Sequence, residues 1–158
     1  MVSNEEILVN KRNGRGKEAL QIDKIHAMVG FATDGITGVS ASHVEMNSGI
    51  QLFDGISTAD IQQILIKSAN DLITLESPNY QYVAARLLLF SLRKQLFHRL
   101  WDHPKLIDHI KKLIEMGLYD KDILVNYDES EIDRMNMWID HERDYNFTYA
   151  GLRQVMDK

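Results

Sequence analysis

The chain has 158 residues, 44% hydrophobic and 26% charged, which suits one globular domain, or one small domain with an appendage, around a real core. It has no cysteine, which excludes disulfides, zinc ribbons, iron–sulfur ligation and any thiol reaction by this chain alone. Lys and Arg number 18 against 23 Asp and Glu, a formal charge of −5, and no apolar run approaches the roughly 18 residues of a membrane helix, so neither a nucleic-acid nor a membrane partner is expected.

In chain order, the first residues, MVSNEEILV, lack the basic start and long apolar stretch of a secretion leader, which points to the cytoplasm. Residues 7–12 and 17–22 are short, partly alternating runs around Asn13-Gly14, a hairpin signal because both turn residues tolerate positive φ. Asp23 is placed to cap a helix carrying Ile25, Met28, Val29 and Ala32, which Gly35 stops. Ser40 or Ser42 opens a second helix, with Val44 and the apolar group Ile50, Leu52 and Phe53 along it. Asp54-Gly55 is a turn. Ser57-x-x-Asp60 has the form of a capping box, and Ile61, Ile64, Leu65, Ala69, Leu72 and Ile73 make one apolar face behind it.

Pro78 suits the first turn of a fourth helix, from about Asn79 to Phe97, which carries Tyr82, Val83, Leu87, Phe90 and, toward its end, Arg93 and Lys94. Pro104 repeats the pattern for Lys105–Met116, with Gly117 as the stop. Ser130-Glu131 opens a helix with Ile132, Met135, Trp138 and Ile139, and Tyr149–Lys158 begins another. Residues 1–97 read as self-contained, and 98–158 as a charge-dense helical segment.

Two basic clusters stand out in an acidic chain. Lys11, Arg12, Arg15 and Lys17 surround the hairpin turn, with Lys24 at the start of the next helix; cations beside exposed backbone N–H groups suit an anion. The alternative is a solvated hairpin tip. Arg93-Lys94 near a helix C-terminus suits the helix dipole alone. The six histidines include no pair at the i, i+4 spacing of a helical metal site, so no histidine-held metal is expected. No nucleophile elbow, Walker A or dinucleotide motif occurs, and no catalytic residue can be singled out. Tyr80, Tyr82, Trp101 and Trp138 read as core aromatics rather than base-stacking groups.

The succession LVNKRNG, ALQIDKI, DGISTADIQ and SPNYQYVAARLLLFSLRK resembles the ATP-cone domain, as found at the N-terminus of the large (alpha) subunit of class I ribonucleoside-diphosphate reductase. IDHIKKLIEMGLYDKDIL and IDHERDYNFTYAGLRQV resemble the segment that leads into that subunit's catalytic barrel. The resemblance implies a mostly helical fold: a β-hairpin or three-stranded lid over a four-helix cluster (1–97), then further helices (98–158). It implies ATP or dATP as effector at an overall-activity site, with Mg2+, and as partners the remainder of the alpha subunit, the radical-bearing beta subunit and further copies of the chain. Carried over residue by residue, Lys11 and Arg12 lie near the phosphates. The run Glu18, Ala19, Leu20, Gln21, Ile22, Asp23 and Lys24 lines the nucleotide, with Glu18 and Gln21 toward the adenine edge and Lys24 toward phosphate. Thr58 is a capping threonine that contacts the nucleotide, Lys94 a second phosphate lysine, and Val9 and Ile25 apolar walls.

Three departures follow. Gln62 and Ser91 stand where members with strong dATP feedback commonly carry histidine, which implies poor discrimination between ATP and dATP. The hairpin is one residue longer between Gly14 and Glu18. The chain stops where the barrel begins, and without the cysteines of the radical chemistry it reduces no nucleotide by itself. A second reading is a cone with a decayed nucleotide site that acts as a subunit-interaction module.

Overall fold

The structure, a computed structural model, describes residues 8–11, 16–48, 54–98 and 102–158. Arg12, the Asn13-Gly14 turn, Arg15, the group Ile50, Leu52 and Phe53, and Trp101 lie outside the described residues. The chain divides into two units, Met1–Leu92 with Tyr145–Lys158, and Arg93–Asp144. Among the described residues, strands β1 (Leu8–Asn10) and β2 (Lys17–Ala19) precede α1 (Ile22–Thr33), α2 (Ala41–Asn47), α3 (Thr58–Asp71), α4 (Tyr80–Phe97), α5 (Leu106–Glu115), α6 (Ile123–Asn126) and α7 (Glu129–Trp138). A 3₁₀ helix (His141–Asn146) and α8 (Tyr149–Met156) complete the order. The mostly helical class with a small antiparallel sheet is as expected.

In the first unit β1 and β2 pair with Val9 opposite Glu18. Gly16, at φ 105°, takes a conformation open to glycine and accepts the Lys11 amide at 3.1 Å. The other edge of β1 is also occupied. The Asn10 amide donates to the Ile56 carbonyl at 2.9 Å and the Gly55 amide to the Leu8 carbonyl at 2.8 Å. Asn10 and Ser57 form an isolated parallel bridge, so the three-stranded lid is two strands plus that single bridge.

The cap of α1 falls on Gln21, not Asp23. Gln21 has the extended backbone of an N-cap without a side-chain capping bond, and Asp23 sits inside the first turn, where a carboxylate faces the positive end of the dipole. Ser40 caps α2, accepting the His43 amide at 3.4 Å. Ser57 caps α3: its hydroxyl accepts the Asp60 amide at 3.0 Å and donates to the Asp60 carboxylate at 2.6 Å. Helix α1 packs on α2 and α2 on α3. Val29, Val44, Leu65, Val83, Leu87 and Phe90 are fully buried, each adding about 1.5–3 kcal/mol relative to exposure. Helix α3 ends before Ile73, which is exposed.

In the second unit α5 packs on α7 through Ile107, Ile110 and Ile132, with Leu106, Ile114 and Ile123 against them. Asp128, not Ser130, caps α7. It accepts the Glu131 amide at 2.9 Å while the Glu131 side chain accepts the Asp128 amide at 3.0 Å, a complete capping box. Trp138 corrects a core assignment: it is the last residue of α7 and 79% exposed, and the buried residue of that helix is Ile132. The hydrogen bond from Ser130 to Asp128, and then the Glu131 amide, hold the Asp128 carboxyl below its ordinary pKa. A depressed folded pKa means the cap contributes above the unfolded value of 3.8 and is lost as pH falls through the folded one. Asp128→Asn, which caps without a charge, is therefore expected to flatten the acid limb of the unit's unfolding curve, read by circular dichroism from pH 5 downward, where wild type loses stability.

Candidate functional site

The candidate site is built on one end of β1. Lys11 and Thr58 each follow directly on one half of the bridged pair Asn10–Ser57. On the antiparallel edge, Lys11 Nζ lies 2.9 Å from Glu18 Oε2, with the lysine 45% and the glutamate 32% exposed. Strand β2 passes into α1 through Leu20 and Gln21 alone, which fixes the first turn of α1, with Asp23 and Lys24, at the end of the same hairpin. Lys24 is exposed, and its amide donates to the Gln21 carbonyl at 3.1 Å.

The strands and two helix starts thus gather Lys11, Glu18, Ala19, Leu20, Gln21, Ile22, Asp23, Lys24 and Thr58 within one unit. Thr58 is the first residue of α3 and follows the cap instead of making it; Ser57 holds that role. Val9 and Ile25 are 3% and 8% exposed, so they serve mainly as core beneath the hairpin. The amides of the first turn of α3 and the ammonium groups supply positive potential, and Glu18, Asp23 and Asp60 supply compensating charge. An anion displacing Glu18 from Lys11 would gain charge-assisted hydrogen bonds.

Gln62 and Ser91 come together in the core. Gln62, 4% exposed, donates from Nε2 to the Leu87 carbonyl at 2.9 Å, and Leu87 lies one turn before the buried Ser91 on α4. The Gln62 amide is committed to the α4 backbone, a bond that sequence spacing does not disclose. Lys94 is an exposed residue of α4 and falls with the second unit. Its neighbour Arg93 does not serve the helix dipole. Arg93 is buried, and Nη2 meets Asp144 Oδ2 at 2.9 Å.

In the second unit the His103 and His141 rings stack at 3.6 Å with 2° between their planes. Burial, then the charge of Arg93, then His141, hold the His103 pKa below the ordinary histidine value. Among the described residues no helix is long and apolar enough to cross a membrane.

Residues 7–95 match the family model of the ATP cone domain. The chain is 45% identical over 155 residues to the ribonucleoside-diphosphate reductase 1 subunit alpha of Escherichia coli (strain K12), covering 98% of this chain and 20% of that one. It is 45% identical over 155 residues to the alpha subunit of Haemophilus influenzae, with the same coverage, and 38% identical over 152 residues to that of Enterobacteria phage T4, covering 96% of this chain and 20% of that one. The chain thus spans about a fifth of the length of these relatives.

Proposed function

Since the chain belongs to the ATP-cone family, we propose that it is the N-terminal regulatory part of a ribonucleoside-diphosphate reductase alpha subunit and binds ATP or dATP at an overall-activity site. It works in the cytoplasm and signals occupancy to the remainder of the alpha chain, to a beta subunit and to other alpha copies. It performs no chemistry itself. The observation that carries this reading is the double pairing of β1, which joins Lys11 and Glu18 on one edge to the start of α3 on the other. Lys11 and Lys24 hold phosphate oxygens, each charge-assisted bond contributing about 1.5–3 kcal/mol before desolvation. Glu18 and Gln21 address the base, and Thr58 approaches the nucleotide from α3. Magnesium comes bound to the phosphates, which supply its hard oxygen ligands. Arg12 and Lys94 keep the phosphate roles that the family resemblance implies.

Gln62 already donates to α4 and Ser91 is buried beside that bond, so neither is free to sense the sugar as a histidine does; ATP and dATP should bind alike. Thermal unfolding tests the reading. ATP at a hundred times its dissociation constant should stabilise the chain by about 2.7 kcal/mol, dATP should match it, and Lys11→Ala should abolish most of the gain. Lys94→Ala tests the second lysine separately. A melting curve unmoved by either nucleotide would leave the interaction-module reading, which the committed Gln62 amide favours.

A further inference from the structure

We propose that His103, His141 and Asp144 form a binding site for one divalent transition-metal ion of the zinc class, in the second unit and independent of the nucleotide. Each of the three offers a ligand atom, and these atoms all lie within 4.8 Å of one another. The reason is the local helix type. Residues 141–146 form a 3₁₀ helix, in which side chains at i and i+3 eclipse because a turn takes about 3.0 residues. His141 and Asp144 therefore share one edge of the turn. The expectation of no histidine-held metal rested on α-helical i, i+4 spacing, which this segment does not have.

His103 arrives from the other end of the unit, just ahead of α5, and its ring lies flat against that of His141. Among the described residues neither imidazole makes a hydrogen bond, so a ring nitrogen of each is uncommitted. Arg93 engages Oδ2 of Asp144, which leaves Oδ1 for the ion and makes the guanidinium the group that orients the carboxylate. Zinc bonds of roughly 2.0–2.2 Å require donors roughly 3.3–3.5 Å apart in a tetrahedron. In the stacked pair the ring planes are parallel and their in-plane lone pairs do not converge, so binding requires the imidazoles to turn out of the stack toward Asp144.

Two imidazoles and one carboxylate are borderline donors that suit zinc, cobalt and nickel better than magnesium or calcium. With three protein ligands, a further coordination position stays open. His103 also lines a cavity of about 400 Å3 with Phe97, Pro104, Lys105, Asp108, His109 and Lys112.

The test uses the 158-residue chain, free of affinity tags and stripped with a chelator, titrated with Co2+ and then with Zn2+. One equivalent of cobalt should give saturating visible d–d bands that zinc abolishes, and zinc should raise the melting temperature. His141→Gln and Asp144→Asn should each weaken cobalt binding more than about tenfold, whereas His26→Ala should leave it unchanged. Absence of d–d bands at one equivalent in wild type would overturn the proposal, as would bands that persist in a folded His141→Gln chain. If His141→Gln fails to fold, His103→Gln and the wild-type titration decide the question.

Discussion

Phe90→Ala should destabilise the first unit by about 3–5 kcal/mol. Phe90 is the largest fully buried side chain of the described residues, at 1% exposure, and sits on α4 amid Val83, Leu87 and the buried faces of the neighbouring helices. Truncation removes its transfer energy and opens a cavity that helices packed at interior density close only in part. The control is Phe31, whose ring meets Phe90 edge-on at 6.3 Å but is 50% exposed. Phe31→Ala loses the edge-on contact with Phe90 and leaves no closed void, so about 1 kcal/mol is expected. Urea unfolding followed by far-ultraviolet circular dichroism measures both. Equal costs for the two rings would show that the core does not centre on α4.

The second large effect is expected at Asp144. Asp144→Ala leaves the Arg93 guanidinium, 5% exposed, without its carboxylate; breaking a buried pair from this side costs about 3–5 kcal/mol. Asp144 itself is 35% exposed, so water reaches the vacated place and the low end, about 3 kcal/mol, is expected. The opposite substitution should cost less. Arg93→Met keeps much of the stem's packing and leaves a carboxylate that water can hydrate, for about 1 kcal/mol. This asymmetry, measured by urea unfolding with a chelator present, identifies which partner carries the desolvation penalty. Costs in the reverse order would mean that the guanidinium finds water when Asp144 is gone.

The legible parts of the fold were those written within a few residues. Ser57-x-x-Asp60 announced the start of α3, and Pro78 announced α4, because capping and proline geometry are local. The same rule fits Asp128-x-x-Glu131, but the adjacent Ser130 offered a competing cap, and only the backbone shows which residue precedes the helix. The basic hairpin was legible as charge. The engagement of Lys11 by Glu18 depends on β-register and was not. The pairs Arg93–Asp144 and His103–His141 bridge 51 and 38 positions of chain, respectively, and no periodicity connects residues so far apart. Trp138 misled because a large aromatic at helical spacing signals a core only when something covers that face.

Strand β1 has no spare edge: one side is spoken for by β2 and the other by residues 54–57. A strand clamped between two neighbours cannot slide along one without dragging the other. A displacement of β1 therefore has to break, or carry along, its bonds to Gly55 and Ile56, the residues that lead into the cap of α3.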